Sequence, residues 1–264
     1  MGFPKCSLVA STYNWPKALE LLLTSALHQT YLPDEVIIAD DGSTKETKFL
    51  IEKFQKNFPV PLVHIWHEDD GNRKSVIMNK AIAKAKYEYV IEIDGDIILH
   101  KNFIEDHLQF AEKQQYLYGS RVTIKSSFLP ELWQKKQTVF HFFSSGISKR
   151  GRTLHFPFLT KFIKPIVYRS SKFRGCNVSF WREDFIKING YNEAFKGWGM
   201  EDSEMIQRLH NIGIVAKRLK FAGIAFHIYH KEQSKDRVSF NAGIEKETTE
   251  KKITFTEKGI AQYL

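Results

Sequence analysis

Two acidic clusters about a hundred residues apart are the parts of this chain best suited to chemistry. The first, Asp94-Gly95-Asp96, directly follows the apolar residues 89–93, and the second, Glu201-Asp202, follows the glycine-rich residues 197–200. Acids at the end of a buried strand cost free energy unless a cation meets them. A divalent metal carrying a diphosphate would meet the first cluster, which leaves the second free to supply a base.

Asp94 and Asp96 lie two positions apart, so in an extended backbone their carboxylates point the same way. Gly95 between them permits close approach of a ligand or an unusual backbone angle. Carboxylates suit Mg²⁺ or Mn²⁺, which bind through one or two such groups plus substrate phosphates. A surface Asp-Gly turn is the alternative. We expect Asp96 to be the direct ligand, and Asp94 to join it or to contact ribose or a metal-bound water.

Glu201 and Asp202 are predicted to open a helix, where acids also cap the backbone and compensate the helix dipole. One of them is expected to serve that structural role. Two adjacent acids behind a Gly-Trp-Gly loop exceed what a cap needs, so we predict that one removes a proton from a hydroxyl. Trp198 in that loop offers a flat apolar face to a sugar.

Other candidate residues support these two clusters. Asp41, at the end of a predicted strand, either contacts a nucleotide or forms an Asx-type helix cap. Lys74, with Arg73, either reaches a diphosphate or simply starts a solvated helix. His227 and His230 follow a strand-like run, and one imidazole, preferably that of His227, is predicted to complete the metal site; a purely structural role is the alternative.

The first hundred residues alternate strand and helix patterns, which is typical of βαβ units with a parallel sheet. The carboxyl ends of such strands form the ligand site, and polar residues follow three of them: Ser11-Thr12-Tyr13-Asn14, Asp40-Asp41-Gly42-Ser43 and Asp94-Gly95-Asp96. Asn14 is a predicted helix cap. The strands are expected near residues 8–10, 35–40, 62–66 and 89–93, with helices over 15–29, 45–57 and 74–86.

The second half is less regular. We predict a helix over 101–114, one strand over 116–125, a strand over 177–181, helices over 182–188 and 202–211, and one or two strands within 215–228. The tail from Glu232 is polar and charged, and part of it is expected to be mobile. We divide the chain into a nucleotide-sugar half, residues 1–125, and an acceptor half, residues 126–264.

Length and composition place the chain among globular proteins. It has 264 residues, 42% hydrophobic and 26% charged. Two cysteines cannot build a disulfide framework, so a reducing compartment is expected. No signal peptide or bilayer-spanning run is apparent. These features predict a cytoplasmic protein that could sit peripherally on the inner face of a membrane.

The net charge of +9 is concentrated in residues 132–182, which hold eleven Lys and Arg and no Asp or Glu. Removing this +11 leaves −2 for the rest of the chain. Three interpretations stay open for this segment: a solvated insertion, a nucleic-acid surface, or a surface for anionic lipid and lipid-linked acceptors. Its interleaved aromatics favour the last. The absence of any nucleic-acid-binding motif makes the second the least favoured, so no nucleic-acid partner is expected.

These motifs together resemble the family 2 glycosyltransferases with the GT-A fold, over roughly residues 5–230. The first half is similar to their nucleotide-binding half, from Ser11-Thr12-Tyr13-Asn14 through Asp40-Asp41-Gly42-Ser43-Thr44 and Asn79-Lys80-Ala81-Ile82 to Asp94-Gly95-Asp96. Gly175-Cys176-Asn177 through Glu201-Asp202 is similar to the region shared by β-1,4-galactosyltransferases, chondroitin polymerases and polypeptide N-acetylgalactosaminyltransferases. The implied fold is α/β, a single Rossmann-like, mostly parallel sheet flanked by helices.

The resemblance implies inverting transfer from a nucleotide sugar, usually a UDP sugar, with Mn²⁺ or Mg²⁺. The acceptor would be a saccharide or lipid-linked saccharide, as in synthesis of cell-surface polysaccharide or lipopolysaccharide. Met78 replaces the family's usual arginine, so Lys74 is expected to take over its contact. The implied site consists of Asp202 and Glu201 for catalysis; Thr12, Tyr13, Asn14, Asp41, Lys74, Asn79 and Asp94 for the nucleotide; Asp96, Asp94, His227 and His230 for the metal; and Asn177, Trp198 and Glu201 for the acceptor.

Two other functions are considered. A sugar-phosphate nucleotidyltransferase shares the metal, the sheet and the nucleotide, but it needs a Gly-rich basic loop after the first strand. Here that position holds Ser11-Thr12-Tyr13-Asn14-Trp15-Pro16, which argues against this class. A non-catalytic module that binds membrane surfaces through the basic segment is the other.

Overall fold

A computed structural model describes residues 2–231 and 237–264 of the chain. The first half follows the predicted alternation closely, and each helix lies between two strands. The elements are β1 (Cys6–Thr12), α1 (Pro16–Leu27), β2 (Glu35–Asp40), α2 (Lys45–Gln55), β3 (Leu62–Trp66), α3 (Lys74–Lys84) and β4 (Tyr89–Asp94).

The second half contains shorter elements and longer connections. They are β5 (Ile97–Leu99), α4 (Phe103–Gln109), β6 (Gln115–Tyr118), β7 (Arg121–Ile124), α5 (Leu129–Lys135), β8 (Ile147–Ser148), α6 (Pro157–Thr160), β9 (Asn177–Trp181), α7 (Arg182–Lys187), α8 (Glu201–Asn211), β10 (Val215–Arg218), β11 (Ala225–His227) and α9 (Val238–Glu250). Short 3₁₀ turns cover Ser126–Phe128, Arg150–Thr153 and Ile260–Tyr263.

The main sheet of the described residues has the strand order β10-β6-β9-β4-β1-β2-β3. The pairs among β1 to β4 are parallel, as is β10 with β6, whereas β9 runs antiparallel to both of its neighbours. The predicted α/β architecture with a mostly parallel sheet is therefore confirmed. The register places Ser11 opposite Asp94 and Thr12 opposite Asp40, so the polar strand ends meet at one edge.

Both faces of the main sheet are covered, because alternate residues of each strand enter different cores. In β1, Cys6, Leu8 and Ala10 pack with α1, α2 and α4, whereas Val9 packs on the other side with α3 and α8. A strand buried on both faces appears in the sequence as a continuous apolar run rather than an alternating one. Glu92 in the middle of β4 departs from this pattern, since it is an acidic residue that is fully buried.

A second, smaller sheet has the order β5-β11-β7-β8, and its strand β11 ends at His227. The prediction of a single strand over 116–125 is wrong, because these residues form two strands, β6 and β7, which belong to different sheets. The chain turns at Gly119, where an added Cβ would overlap with the Asn177 side chain. This break is what allows β7 to pair with β11, with Thr123 opposite His227.

Other local expectations also needed correction. The helix predicted over 101–114 is shorter, at Phe103–Gln109. Trp15, not Asn14, is the N-cap of α1, and Asn14 has a left-handed backbone with φ 46°. The Asn14 side chain instead accepts a hydrogen bond from the Thr44 backbone N–H at 2.8 Å, which ties the loop after β1 to the start of α2.

The tail is more ordered than its polar sequence indicates, because α9 packs along α8. Residues 232–236 of the tail lie outside the described residues. Cys6 and Cys176 are buried and unpaired, as expected for a chain without a disulfide framework. Within the described residues, no helix combines the length and the apolar character needed to cross a bilayer.

A buried ion pair fixes α8, the helix that carries Glu201 and Asp202. Arg208 is fully buried, and its Nε and Nη2 donate to the two oxygens of Glu204 at 2.7 and 2.8 Å. Glu204 also accepts from Thr248 of α9 at 3.0 Å. Because both side chains are removed from water, removing either one leaves the charge of the other buried and unpaired.

We predict that Arg208→Met lowers the free energy of unfolding by about 3–5 kcal/mol, since the Glu204 carboxylate is left buried without its cation. The matched control is Lys48→Met, which breaks an exposed pair of the same spacing, Lys48–Glu52 at 3.9 Å, and is expected to cost at most about 1 kcal/mol. Urea denaturation measures both. Equal midpoints for the two variants would show that the buried pair has no special role.

Candidate active site

Lys74 connects the two acidic clusters found in the sequence. Its Nζ donates to Asp94 Oδ1 at 2.9 Å and lies 3.5 Å from Asp202 Oδ1. Burial alone would lower the pKa of Lys74, but Asp202 and Asp94 raise it well above its usual value. Burial would likewise raise the pKa of Asp94, but the Lys74 ammonium lowers it. Both groups are therefore charged near neutral pH, and they hold α3 against the start of α8.

Asp202 is partly open to solvent, whereas Glu92 and Glu201 beside it are buried. Its side chain is 21% exposed, and its Oδ1 lies 3.2 Å from the Tyr191 hydroxyl, which also contacts Glu92 Oε1 at 2.6 Å. On its other side, Gly175 packs so closely that an added Cβ would overlap with the Asp202 carboxylate. These contacts give Asp202 a fixed position with one accessible side.

Glu92 and Glu201 are the more deeply buried acids of this site. Burial, together with nearby Asp202, raises the pKa of Glu92 to about 8 and that of Glu201 to about 7, although Lys74 acts in the opposite direction. One carboxylate oxygen of each, Oε2, is buried without a hydrogen-bond partner in the described part of the chain. The site therefore holds more acid than its one nearby ammonium can neutralise.

Asp96, His227 and His230 form a group with the geometry of a metal site. Asp96 Oδ2 lies 3.4 Å from His227 Nε2 and 3.2 Å from His230 Nε2. Backbone pairing positions the group, because Ile97 lies opposite His227 and the Ile228 N–H donates to the Asp96 carbonyl at 3.0 Å. The second oxygen of Asp96, Oδ1, is buried without a partner among the described residues.

The protonation of this group also fits a bound cation. His230 Nδ1 donates to the Lys231 carbonyl at 2.7 Å, so in the neutral ring Nε2 presents a lone pair to Asp96. Burial lowers the pKa of His227 to about 3, which keeps the His227 ring neutral near pH 7. Burial and nearby Asp94 raise the pKa of Asp96 to about 8. Two imidazole nitrogens facing a carboxylate oxygen are ligands that Mn²⁺ accepts.

A second group of possible metal ligands, His100, Asp106 and His155, is closed by its own hydrogen bonds. His155 Nε2 lies 2.9 and 3.0 Å from the two Asp106 oxygens, one of which also accepts from the Gly223 N–H at 2.8 Å. Both carboxylate oxygens of Asp106 therefore already have hydrogen-bond partners within the protein. The first group, with its unpartnered carboxylate oxygen, is the better cation site.

The predicted nucleotide residues near β1 and β2 lie around one corner of the cleft. Asp41 Oδ1 lies 2.7 Å from His67 Nε2, and Asp41 Oδ2 accepts from the Arg73 N–H at 2.9 Å. Burial raises the pKa of Asp41 despite these contacts. Thr12 is buried beside it, since its carbonyl accepts from the Asp41 N–H at 3.0 Å. Tyr13 is half exposed, and its hydroxyl donates to Asp69 at 2.9 Å.

Two predicted site residues are corrected. Asn79 is fully buried, and its side chain bonds to the Tyr191 backbone and to Glu193, so it cannot contact a nucleotide. Asn177 is equally buried, between His107 and the Gly223 carbonyl, so it cannot contact an acceptor. Trp198, in contrast, is 43% exposed at the rim of the loop before α8.

Sequence reasoning missed Glu92 and Tyr191. A charged residue in the middle of the apolar run 89–93 is a signal that could have found Glu92, because such a position is buried on both faces. Tyr191 had no comparable signal. Its role depends on how the turn after α7 folds back on β4, which no local pattern encodes.

Comparison with solved structures supports the same architecture. A mannosyltransferase from Pyrobaculum calidifontis, in complex with GDP-Man and Mn²⁺, matches with a TM-score of 0.61 and 18% identity over 88% of this chain and 59% of its own. S. aureus TarS 1–349, in complex with UDP, matches with a TM-score of 0.60 and 16% identity over 91% and 64%. The fold is that of GT-A glycosyltransferases.

Residues 7–174 match the model of glycosyl transferase family 2, and residues 160–231 match a model described as the N-terminal domain of galactosyltransferase. The chain belongs to glycosyl transferase family 2. Its relatives include a chondroitin synthase from Escherichia coli, 26% identical over 84% of this chain, and a hyaluronan synthase from Pasteurella multocida, 26% identical over 86%. The chain spans only 34% and 24% of the length of these two relatives.

We predict that Mn²⁺ stabilises the protein, by about 2.7 kcal/mol when its free concentration is a hundred times Kd. Asp96→Asn combined with His227→Ala should abolish the increase in Tm, because it removes two of the three ligands. His28→Ala, at the exposed residue that follows α1, is the control and should keep the increase in Tm. A full increase in the double variant would locate the cation elsewhere, such as at His100, Asp106 and His155.

Proposed function

We propose that this protein is a metal-dependent, inverting glycosyltransferase. It transfers a sugar from a nucleotide-diphosphate sugar, in particular a UDP sugar, to a hydroxyl of a saccharide or lipid-linked saccharide. The observation that carries the proposal is the convergence at one sheet edge of the Asp96–His227–His230 group and a partly exposed Asp202, with Lys74 between Asp94 and Asp202. The UDP and the GDP-Man with Mn²⁺ in the two similar structures support a donor of this kind.

The donor occupies the corner formed by the ends of β1, β2 and β4. Thr12, Tyr13 and Asp41 contact the nucleoside, and Asp94 orients the ribose or the diphosphate through its contact with Lys74. Asn14, in the loop after β1, supports this corner through the hydrogen bond that its side chain accepts from the Thr44 backbone N–H. Mn²⁺ or Mg²⁺ held by Asp96, His227 and His230, with Asp94 nearby, supplies charge neutralisation at the departing diphosphate.

Asp202 is the base of the reaction. Its exposed side accepts the proton of the acceptor hydroxyl as that oxygen attacks the anomeric carbon, on the face opposite the leaving UDP. Lys74 and Tyr191 both contact Asp202 Oδ1 and fix the orientation of its carboxylate. Glu201 faces the acceptor, and Trp198 provides an apolar surface for the sugar ring. Holding the hydroxyl and the anomeric carbon in line contributes the remaining rate enhancement.

We predict that Asp202→Asn lowers kcat by about 10²-fold or more, since an amide cannot accept the proton, while Mn²⁺-dependent UDP affinity stays within about twofold. Asp70→Asn, an exposed acid with a side chain 79% accessible, is the control. Release of UDP from a panel of UDP sugars measures turnover, and calorimetry measures UDP binding. Unchanged turnover in Asp202→Asn would refute the assignment of the base.

The basic segment, residues 132–182, favours a second, ancillary role at an anionic membrane surface. Several of its large apolar side chains are exposed, with Phe143 at 83%, Phe162 at 77% and Val167 at 76%. Lys161 and Lys164 flank Phe162 in the sequence. Exposed aromatics beside cations are typical of proteins that rest on anionic bilayers. We propose a cytoplasmic enzyme that associates peripherally with the membrane through this segment.

This membrane contact predicts co-sedimentation with vesicles of mixed phosphatidylglycerol and phosphatidylcholine, but not with phosphatidylcholine alone. Phe143→Ser with Phe162→Ser should reduce the bound fraction, because the apolar contribution is lost. Phe49→Ser, at a residue of α2 that is 62% exposed, removes an exposed phenylalanine outside the segment. An equal reduction by Phe49→Ser, or binding to neutral vesicles, would argue against the segment as the membrane contact.

A further inference from the structure

Five cationic side chains gather beside the candidate active site, from four separate stretches of the chain. Arg121 begins β7, Lys149 and Arg152 lie in the turn after β8, Arg174 precedes the Gly175 turn, and Arg218 ends β10. We call them the basic cluster. Because distant segments contribute to it, the cluster is a product of the fold and not merely of a run of basic residues in the sequence.

The members of the cluster are close enough to repel one another. Arg152 Nη1 donates to the Arg121 carbonyl at 2.8 Å, and Arg218 Nη2 donates to Ser120 Oγ at 2.9 Å. Burial lowers the pKa of Lys149, and the positive charges of Arg152, Arg121 and Arg174 lower it further. Burial also lowers the pKa of Arg152, as do the positive charges of Arg218, Arg121 and Arg174. Like charges at such distances cost free energy unless anions offset them.

These five cations form no direct ion pair in the described residues, and Arg121 is near enough to Asp96 to oppose the rise in the pKa of that carboxyl. In residues 2–231 and 237–264, no carboxylate lies within 4.0 Å of a cationic nitrogen of the five. Their hydrogen bonds go to backbone carbonyls, to Ser120 and to the Cys176 sulfur. Arg218 Nε is buried and has no partner in the same residues. Unpaired guanidinium donors that converge are suited to phosphate or carboxylate.

The basic cluster is next to the reacting groups. Arg174 directly precedes Gly175, which packs against the Asp202 carboxylate. Arg121 and Lys149 are near enough to His227 to contribute, after burial, to the lowering of its pKa. An anion held by the cluster therefore lies beside both the proposed base and the proposed metal ligands.

An open cavity of about 300 Å³ continues from the cluster, because Arg218 lines both. Lys164, Lys172, Tyr118 and Tyr168 also line it, and no acidic side chain does. Its volume is at the lower end of the range for small-molecule sites. Tyrosine rings beside cations suit a sugar ring that carries a negative group.

We propose that the basic cluster binds a phosphate or carboxylate group of the acceptor, so that the acceptor is an anionic saccharide. This inference rests on the proposed glycosyl transfer. The acceptor is favoured over the donor because the donor corner, at the ends of β1, β2 and β4, already has Lys74 and a metal site for its diphosphate. Arg174 places one end of the cluster beside Gly175, which packs against Asp202.

The test compares anionic saccharides with neutral ones of the same size. A hyaluronan hexasaccharide, which supplies carboxylates, is paired with neutral chitohexaose, and glucose 6-phosphate, which supplies a phosphate, is paired with glucose. Calorimetry with Mn²⁺ and UDP present measures their binding to the wild type and to Arg152→Gln with Arg218→Gln. We expect an anionic probe to bind more tightly than its neutral counterpart, and its Kd to rise by about tenfold or more in the double variant.

Lys56→Gln with Lys101→Gln removes the same charge at exposed lysines outside the cluster and outside residues 132–182, and should leave both anionic affinities unchanged. Loss of UDP affinity in Arg152→Gln with Arg218→Gln would assign the cluster to the donor and overturn the proposal. Weaker binding of this variant to anionic vesicles, with unchanged binding of the anionic saccharides, would also overturn it. Wild-type protein that binds UDP but no anionic probe overturns this inference alone. Wild-type protein that binds neither UDP nor Mn²⁺ contradicts the proposed function itself.

Discussion

The contact of the Lys74 ammonium with Asp94 and Asp202 is the interaction on which the site depends. It joins the end of β4 to the start of α8, two points more than a hundred residues apart in the chain. Glu92 and Glu201 lie in the same buried region, and burial raises their pKa values to about 8 and about 7. One ammonium cannot neutralise four carboxylates, so the protein holds a surplus of acid at the edge of its sheet. Surplus buried acid is costly, and it is maintained only where cations or protons are part of the function.

The structure distributes charge in three zones across the cleft. The acids around Lys74 form the centre, and the Asp96–His227–His230 group lies on the second sheet. Beyond it lies the basic cluster, with Arg121 and Arg218 among its members. Under the proposed function, the metal group would meet the diphosphate of the donor and the basic cluster would meet an anionic group of the acceptor. The two anions would then be held by separate sets of residues.

Much of the fold could be predicted because its first half is regular. The apolar strands around Leu8, Ile38 and Ile91 and the polar residues after them place Asp41 and Asp94 at one edge by simple parallel-sheet geometry. The sequence could not show that Asn79 and Asn177 point into the protein, since an amide serves a ligand or a backbone equally well. Nor could the sequence reveal the basic cluster. Its cations come together only because the chain turns at Gly119 from the main sheet into the second sheet, which contains Arg121.

The central claim is that a divalent cation and the donor diphosphate occupy the edge where Asp96 and the two histidines meet. The most direct measurement is a crystal structure grown with Mn²⁺ and UDP, with anomalous diffraction to locate manganese. The account predicts an anomalous peak within bonding distance of Asp96 and of His227 or His230, with the diphosphate next to it. A peak elsewhere in the molecule, with UDP density away from residues 94–96, would contradict it.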